Sequence, residues 1–477
     1  MEESLAPERN KKLVEKKERP PTFSVDAELK RSIFHEHISE AGSLLAFYVD
    51  DMMDTNLSWQ NAIDEERRLI AHIDGLELGQ DLARHCAVEC LTSDDEDLLL
   101  GAAYALATIN INDNGLDVAL EAFVDEEDEE RLGHFITAFK HGQLPLLGEK
   151  LKTLLDHDRP MIRAATVEIL GYRREGEPRR IWPLLHDKDP MVQGAVILAL
   201  ARFGYHEALP AAEQLLLQSG EAVNEDHLLV LLMLGSKTAL DLCRRACISA
   251  DTVTPRLLVY LSMAGSLRDF NIVLSAKQYR HAAEGVIQAL GLFGQVAAVP
   301  HLIAALKLDM DDLRAEAGMA LEMITGAGLR ETIQVPEEEP EDLKVRDILG
   351  ENLEGEAEEQ DEAENPRMVE IERPCTSHAI WKEWWQNNAE RFDPGKRWRK
   401  GQPFDLGACI AEMACPDSHY HDRERAYLEL VIRSGQHTGF EPDWFIPRQL
   451  SAIKEWQSWW ATHRETLAHN PWLFAGQ

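Results

Sequence analysis

Four residues near the C-terminal end carry side chains that bind zinc: Cys409, Cys415, His419 and His421. Structural zinc sites pair their ligands closely, about two to four residues between cysteines and three to five between histidines, so that each pair closes a tight loop on the ion. Here the cysteines have five residues between them and the histidines one, a spacing that fits no common structural site. Asp417, Ser418, His419, His421 and Asp422 read instead as a polar turn ahead of the helical segment RERAYLELVIRSG. A cryptic metal site over Cys409–His421 is the one enzymatic alternative that the residue types allow.

Other candidates for chemistry are weaker. His35 and His37 stand two apart, which points them to different sides of a helix and breaks the i, i+4 spacing of a helical zinc pair. Cys86 and Cys90, like Cys243 and Cys247, recur at helical spacing and read as small apolar residues on buried faces. The acid pairs Asp94-Asp95 and Asp311-Asp312 sit at turns, where carboxylates cap the free amides of a following helix. No phosphate-binding glycine loop, nucleophile elbow or His-Glu-x-x-His motif is present. The expectation is a chain with no catalytic residue, no resident metal and no cofactor.

The elements that position these residues are helical throughout. RPMIRAATVEILGYRR, with Pro160, Ile162, Ala164, Ala165, Val167 and Leu170, returns thirty residues later as DPMVQGAVILALARFG, with Pro190, Val192, Gly194, Ala195, Ile197 and Leu200. A short leucine-rich helix precedes each copy. Proline opens the second helix of each pair, where its missing amide costs little, and the small residues admit a close neighbour. Weaker copies follow near Tyr260 and from Ala282 to Gly326. Paired helices recurring without strand alternation predict an all-α, HEAT-like solenoid, because each pair has an apolar face that only the next pair can cover.

Tryptophan marks the C-terminal end. Trp381, Trp384 and Trp385 return as Trp456, Trp459 and Trp460, 75 residues on. Positions i, i+3 and i+4 share one helix face, so each cluster forms an aromatic stripe and the pair implies a pseudo-repeated end module. Between them lies a basic loop with Arg397, Trp398, Arg399 and Lys400. Tryptophan and arginine dominate interface hot spots. The candidate protein-binding residues are therefore Trp381, Trp384, Trp385, Arg397, Trp398, Arg399, Trp456, Trp459 and Trp460.

Charge narrows the partner. The chain has 84 acidic residues against 49 Lys plus Arg, a formal net charge of -35, which repels nucleic-acid phosphates and anionic lipid heads and steers toward a basic protein. No apolar run approaches the roughly 20 residues of a membrane span. The opening MEESLAPERNKKLVEKK lacks a secretory core, so the expected location is the cytoplasm. The segments anticipated are a charged arm at 1–25, a helical region at 26–145, HEAT-like repeats at 146–332, a mobile acidic linker at 333–370 and a tryptophan-rich helical module at 371–477.

AHIDGL at Ala71–Leu76, the helix ending MITG at Met323–Gly326, WKEWWQNNAERFDPGKRWRKGQPF and the late RERAYLELVIRSG together resemble a bacterial group of HEAT-like repeat proteins whose genes accompany type VI secretion tip and effector loci. The likeness spans roughly residues 28–475; the charged arm and the acidic insert depart from it. The resemblance implies an accessory adaptor or immunity protein bound to an effector or toxin, with a structural component of the secretion assembly as the alternative.

Overall fold

In a computed structural model of the chain, residues 25–53, 58–110, 114–218, 224–336 and 368–477 are described. The charged arm, and the expected mobility of the acidic run across 337–367, fall outside them.

The repeat pair forms as its residues dictate. Helix Pro160–Arg173 and helix Pro190–Arg202 each open on proline, and Asp189 caps the second by accepting from the Met191 amide at 2.9 Å. Ile162, Val167, Ile169 and Leu170 of the first are fully buried, as is Val192 of the second. The close approach falls at a different residue from those the sequence suggests. Gly194 is half-exposed, whereas a Cβ on Gly171 would lie 2.8 Å from Ala199 Cβ, so this glycine sets the helix spacing. The contact recurs at Gly291, where a Cβ would meet Ala320 Cβ at 2.9 Å.

A second device repeats with it. Arg163 donates to the His157 and Asp158 carbonyls at 2.6 and 3.0 Å, and its Nε and Nη2 grip Asp187, each at 2.9 Å. Arg314 donates to the Leu308 and Asp309 carbonyls at 2.8 and 3.1 Å. In each case an arginine early in a helix ties down the turn that precedes it, satisfying carbonyls left open by the end of the previous helix.

Contacts divide the chain into two compact units. One contains the described residues up to 245 together with 263–265 and 405–477; the other contains 246–262 and the described residues of 266–404. The tryptophan-rich end is thereby shared, with 371–404 in one unit and 405–477 in the other. Among the described residues four short strands interrupt the helices, against the all-helical expectation. Arg330–Pro336 pairs antiparallel with Met368–Pro374, placing Ile333 opposite Ile371 and Val335 opposite Val369. That alternation of β-branched and charged residues is a strand signal. The ribbon brings Pro336 beside Met368, so the two ends of the acidic run meet. Trp398–Arg399 and Gln402–Pro403 form the other ribbon.

Each unit contains one tryptophan helix and one shared device. Helix Asp311–Thr325 ends on Gly326 at φ +56°, and the Lys400 and Gly401 amides donate to Met323 and Ile324 at 2.6 and 3.1 Å. In the other unit, helix Tyr420–Ser434 ends on Gly435 at φ +68°, and the Ala475 and Gly476 amides donate to Ile432 and Arg433 at 2.8 and 2.9 Å. Lys400 and Gly401 have φ of 48° and 74°; Ala475 and Gly476 have 50° and 76°. The pseudo-repeat therefore extends beyond the tryptophans to the backbone that crosses each helix end.

Candidate functional site

The first unit contains a long stretch without regular structure, Gln436–Phe445, between helices Tyr420–Ser434 and Ile446–Leu467. It meets the C-terminal ends of the two proline-opened helices and turns at Pro442–Asp443, where the Trp444 amide donates to the Glu441 carbonyl at 3.2 Å. Arg174 and Arg202 come from the C-terminal ends of the two proline-opened helices, and their Nη2 atoms grip the two oxygens of Glu441 at 2.7 and 3.0 Å. One carboxylate thus spans two repeats. Tyr48 donates to the Trp444 carbonyl at 2.8 Å, and the Ile446 amide donates to Glu66 at 2.8 Å. Arg448 reaches back to the Arg173 carbonyl at 3.0 Å while its guanidinium lies 3.5 Å from the Trp444 ring centre.

Aromatic contacts complete the seam. The Phe445 ring packs among Tyr48, Tyr104 and His141, with centroids 5.2, 6.4 and 5.3 Å away. Trp444 meets Tyr172 edge-on at 6.4 Å, and His437 meets His206 at 5.2 Å. Gly204, at φ +64°, makes room for this: a Cβ there would stand 2.7 Å from His437 Cγ.

Burial governs the charges here. It raises the carboxyls of Glu66, Glu424 and Asp443, with Glu441 adding to the rise at Glu424 and Asp443. It pushes His141 down to about 3 and, with His206 nearby, His437 down to about 4, so both are neutral at pH 7. Arg423 lies fully buried with its guanidinium 3.8 Å from the Trp59 ring, and burial lowers it to about 9. The geometry suits the holding of polypeptide. Glu441 is occupied by two guanidiniums, and the aromatic groups are packed against one another.

Of the sequence candidates, five are interior. Trp381 and Trp456 are 0% exposed, and Arg397, Trp398 and Arg399 are also buried. Trp381 Nε1 donates to the Cys375 carbonyl at 2.6 Å, and Arg397 donates to the Leu292 carbonyl at 2.7 Å with its guanidinium 3.7 Å from the Phe404 ring. Trp384 and Trp385 are half-buried beside Phe392; in the other unit Trp459 and Trp460 are also half-buried, with His463 stacked on Trp459 at 4.9 Å. The structure thus brings together Trp381, Trp384 and Trp385 in one unit and Trp456, Trp459 and Trp460 in the other.

The proposed zinc ligands do not converge. Cys409 is buried inside helix Leu406–Ala414, and Cys415 ends that helix with its carbonyl accepting from Trp59 Nε1 at 3.0 Å. The His421 side chain is 74% exposed, facing Glu424 at 3.9 Å. Among the described residues no three His, Cys, Asp or Glu side chains are placed to hold a metal ion, which overturns that alternative. Cys86, Cys90, Cys243 and Cys247 are buried, as read, and burial raises the Cys86 and Cys90 thiols to about 11 and 12.

Sequence reasoning passed over the Gln436–Phe445 stretch. Its signal was compositional: FEPDWF puts two acids and three aromatics beside two prolines, an unusual density for a spacer.

Comparison with known proteins locates the fold. Residues 148–249 match the HEAT repeat family. Among solved structures the chain is similar to an engineered protein, 16% identical, covering 65% of this chain and 98% of that one, with a TM-score of 0.27. It is also similar to Kap121p, 11% identical, covering 88% of this chain and 46% of that one, with a TM-score of 0.29. Comparison with curated proteins gives no match. The chain is an all-α solenoid of HEAT-like helices with tryptophan clusters toward its C-terminal end. No helix among the described residues is long and apolar enough to cross a membrane.

Proposed function

We propose that this chain is a non-catalytic scaffold that holds another protein, acting in the cytoplasm as an adaptor or immunity protein for a type VI secretion effector. The observation that carries the first part is the seam over Gln436–Phe445. Side chains from the two proline-opened helices and from two earlier helices already grip an irregular stretch of polypeptide there, through an arginine pair on a carboxylate and side-chain bonds to a backbone carbonyl and amide. Stacked helix pairs present such side chains in register, and their repetition suits an elongated ligand. In one unit the half-buried Trp384 and Trp385 offer an aromatic surface for a partner, supported from within by Trp381, Arg397, Trp398 and Arg399; in the other, Trp459 and Trp460 offer another, supported by Trp456. The charge of -35 favours a basic partner by long-range steering. The secretion role rests on the resemblance alone.

Co-expression with the effector encoded beside the chain separates the readings. A stoichiometric complex that silences the toxin supports immunity. A complex without silencing, together with secretion that fails when the chain is removed, supports an adaptor. Stable association with tip or sheath proteins and none with the effector would make it a structural component instead.

A further inference from the structure

The first unit also contains a cavity of about 320 Å³ that the seam does not use. Its walls come from helices Gln80–Cys90, Glu96–Thr108, Gly115–Asp125 and Leu146–Leu151, with Ala87, Leu106, Ile109 and Leu116 supplying an apolar floor. Gly115 keeps it open, because a Cβ there would meet Leu106 Cδ2 at 2.9 Å and Arg84 Cγ at 3.6 Å. The volume lies at the lower end of what small-molecule sites enclose, about 300 to 1,000 Å³.

Two cations line this apolar space, Arg84 and Lys150. Lys150 is paired with Asp117. Arg84 is different: its Nε is buried and makes no hydrogen bond, although its side chain is 28% exposed and the same atom faces the exposed Asp81 carboxylate across a loose 3.9 Å ion pair. A guanidinium N–H that makes no hydrogen bond beside an apolar cavity can donate to an acceptor placed there. We infer that the cavity binds an amphipathic carboxylate of the medium-chain fatty-acid class, its alkyl chain on the Leu106–Leu116 floor and its head on Arg84. Size favours a chain of moderate length, and the open N–H favours an acceptor, which a carboxylate supplies more strongly than a neutral group. This inference does not depend on the protein-binding reading.

Titration calorimetry of the full chain with decanoate, decanol and acetate tests it. Decanoate should bind one per chain. Decanol, which lacks the charge, should bind about tenfold more weakly, and acetate, which lacks the tail, should not bind measurably. Arg84→Gln should weaken decanoate about tenfold while leaving decanol unchanged. Leu106→Trp, which fills the floor, should abolish both, and circular dichroism checks that it folds. Should Leu106→Trp unfold, the three wild-type titrations and Arg84→Gln still decide the matter. Absence of decanoate binding, equal affinity for decanoate and decanol, or indifference to Arg84→Gln would each overturn the proposal.

Discussion

Helix Asp311–Thr325 and helix Tyr420–Ser434 end on the same left-handed glycine and receive the same pair of amides from a later segment, but different residues lie beneath that crossing. In the first, Ala320 and Ile324 fill the last turn, and both are buried apolar residues. In the second, the corresponding positions are Glu429 and Arg433, paired at 2.8 Å with both side chains 0% exposed. Arg433 also donates to the Leu473 carbonyl at 3.0 Å, within the segment that crosses. The backbone geometry is therefore indifferent to what lies under it, and the ion pair is an addition rather than a requirement. Desolvating two charges offsets most of what their attraction supplies, so the apolar version of the device is the cheaper one to build.

The connections differ as well. Between Gly326 and the first tryptophan helix runs the ribbon with the acidic stretch at its tip; between Gly435 and the second runs only the segment clasped by the repeats. In the 337–367 stretch, fourteen acids stand against three basic residues. One connection is rich in charge, and the other is drawn into the protein by aromatic and arginine contacts.

The comparison can be broken most severely at the tryptophans. Trp381→Ala and Trp456→Ala, each emptying a fully buried site, should cost about 3–5 kcal/mol in the transition of their own unit, read by urea denaturation. The phenylalanine variants sharpen this. Trp381→Phe should cost more than Trp456→Phe, because Trp381 Nε1 has a carbonyl partner and Trp456 Nε1 has none. Equal losses would contradict the packing described for the two rings.

Next in size is the ion pair. Arg433→Ile alone leaves Glu429 buried without its guanidinium and should destabilise by about 3–5 kcal/mol. Adding Glu429→Ala, which copies the Ala320 and Ile324 arrangement, should recover most of that loss in the same denaturation experiment. A double variant as unstable as the single one would show that the crossings are not equivalent.

The glycines give a smaller effect. A Cβ on Gly326 would stand 2.5 Å from the Lys400 carbonyl oxygen, whereas one on Gly435 would be 3.0 Å from Ala475 C. Gly326→Ala should therefore cost about 2–3 kcal/mol and Gly435→Ala about 1–2 kcal/mol, measured as shifts in denaturation midpoint.

A pH effect belongs to the first unit. His141 is held at about 3, below its unfolded value near 6.5, so the unfolded chain takes up the proton first as pH falls. Its contribution to stability is full above pH 6.5 and falls by about 1.4 kcal/mol for each pH unit below that, down to about 3. The raised carboxyls of Glu66, Glu424 and Asp443 act in the opposite sense, costing stability as pH rises from the ordinary carboxylate range through their folded values. Unfolding of His141→Phe at pH 7 and pH 5 isolates the histidine: the variant should lose less stability between them than the parent.

Much of this fold was legible in the sequence because its signals are local. Proline at the first helical position, the thirty-residue echo and the buried cysteines at helical spacing each depend on neighbours along the chain. The pseudo-repeated tryptophans were visible for the same reason. The Arg174–Glu441–Arg202 clasp was not, because its partners lie 267 and 239 residues apart and no spacing rule links them. Arg397 and Arg399 look like a basic surface loop in one dimension. Their burial depends on carbonyls and the Phe404 ring supplied by the folded unit. Ile333 and Val335, by contrast, carried an alternation that the surrounding acids obscured.

The central claim is that the molecule holds a protein rather than transforms one. Titration calorimetry of the purified chain with a protein partner recovered by affinity capture, followed by intact mass of both components, separates the two. Saturable binding at one-to-one stoichiometry, weakened by salt, is expected, with both masses unchanged after prolonged incubation. A heat of turnover at substoichiometric amounts of the chain, or a changed mass on the partner, would overturn it.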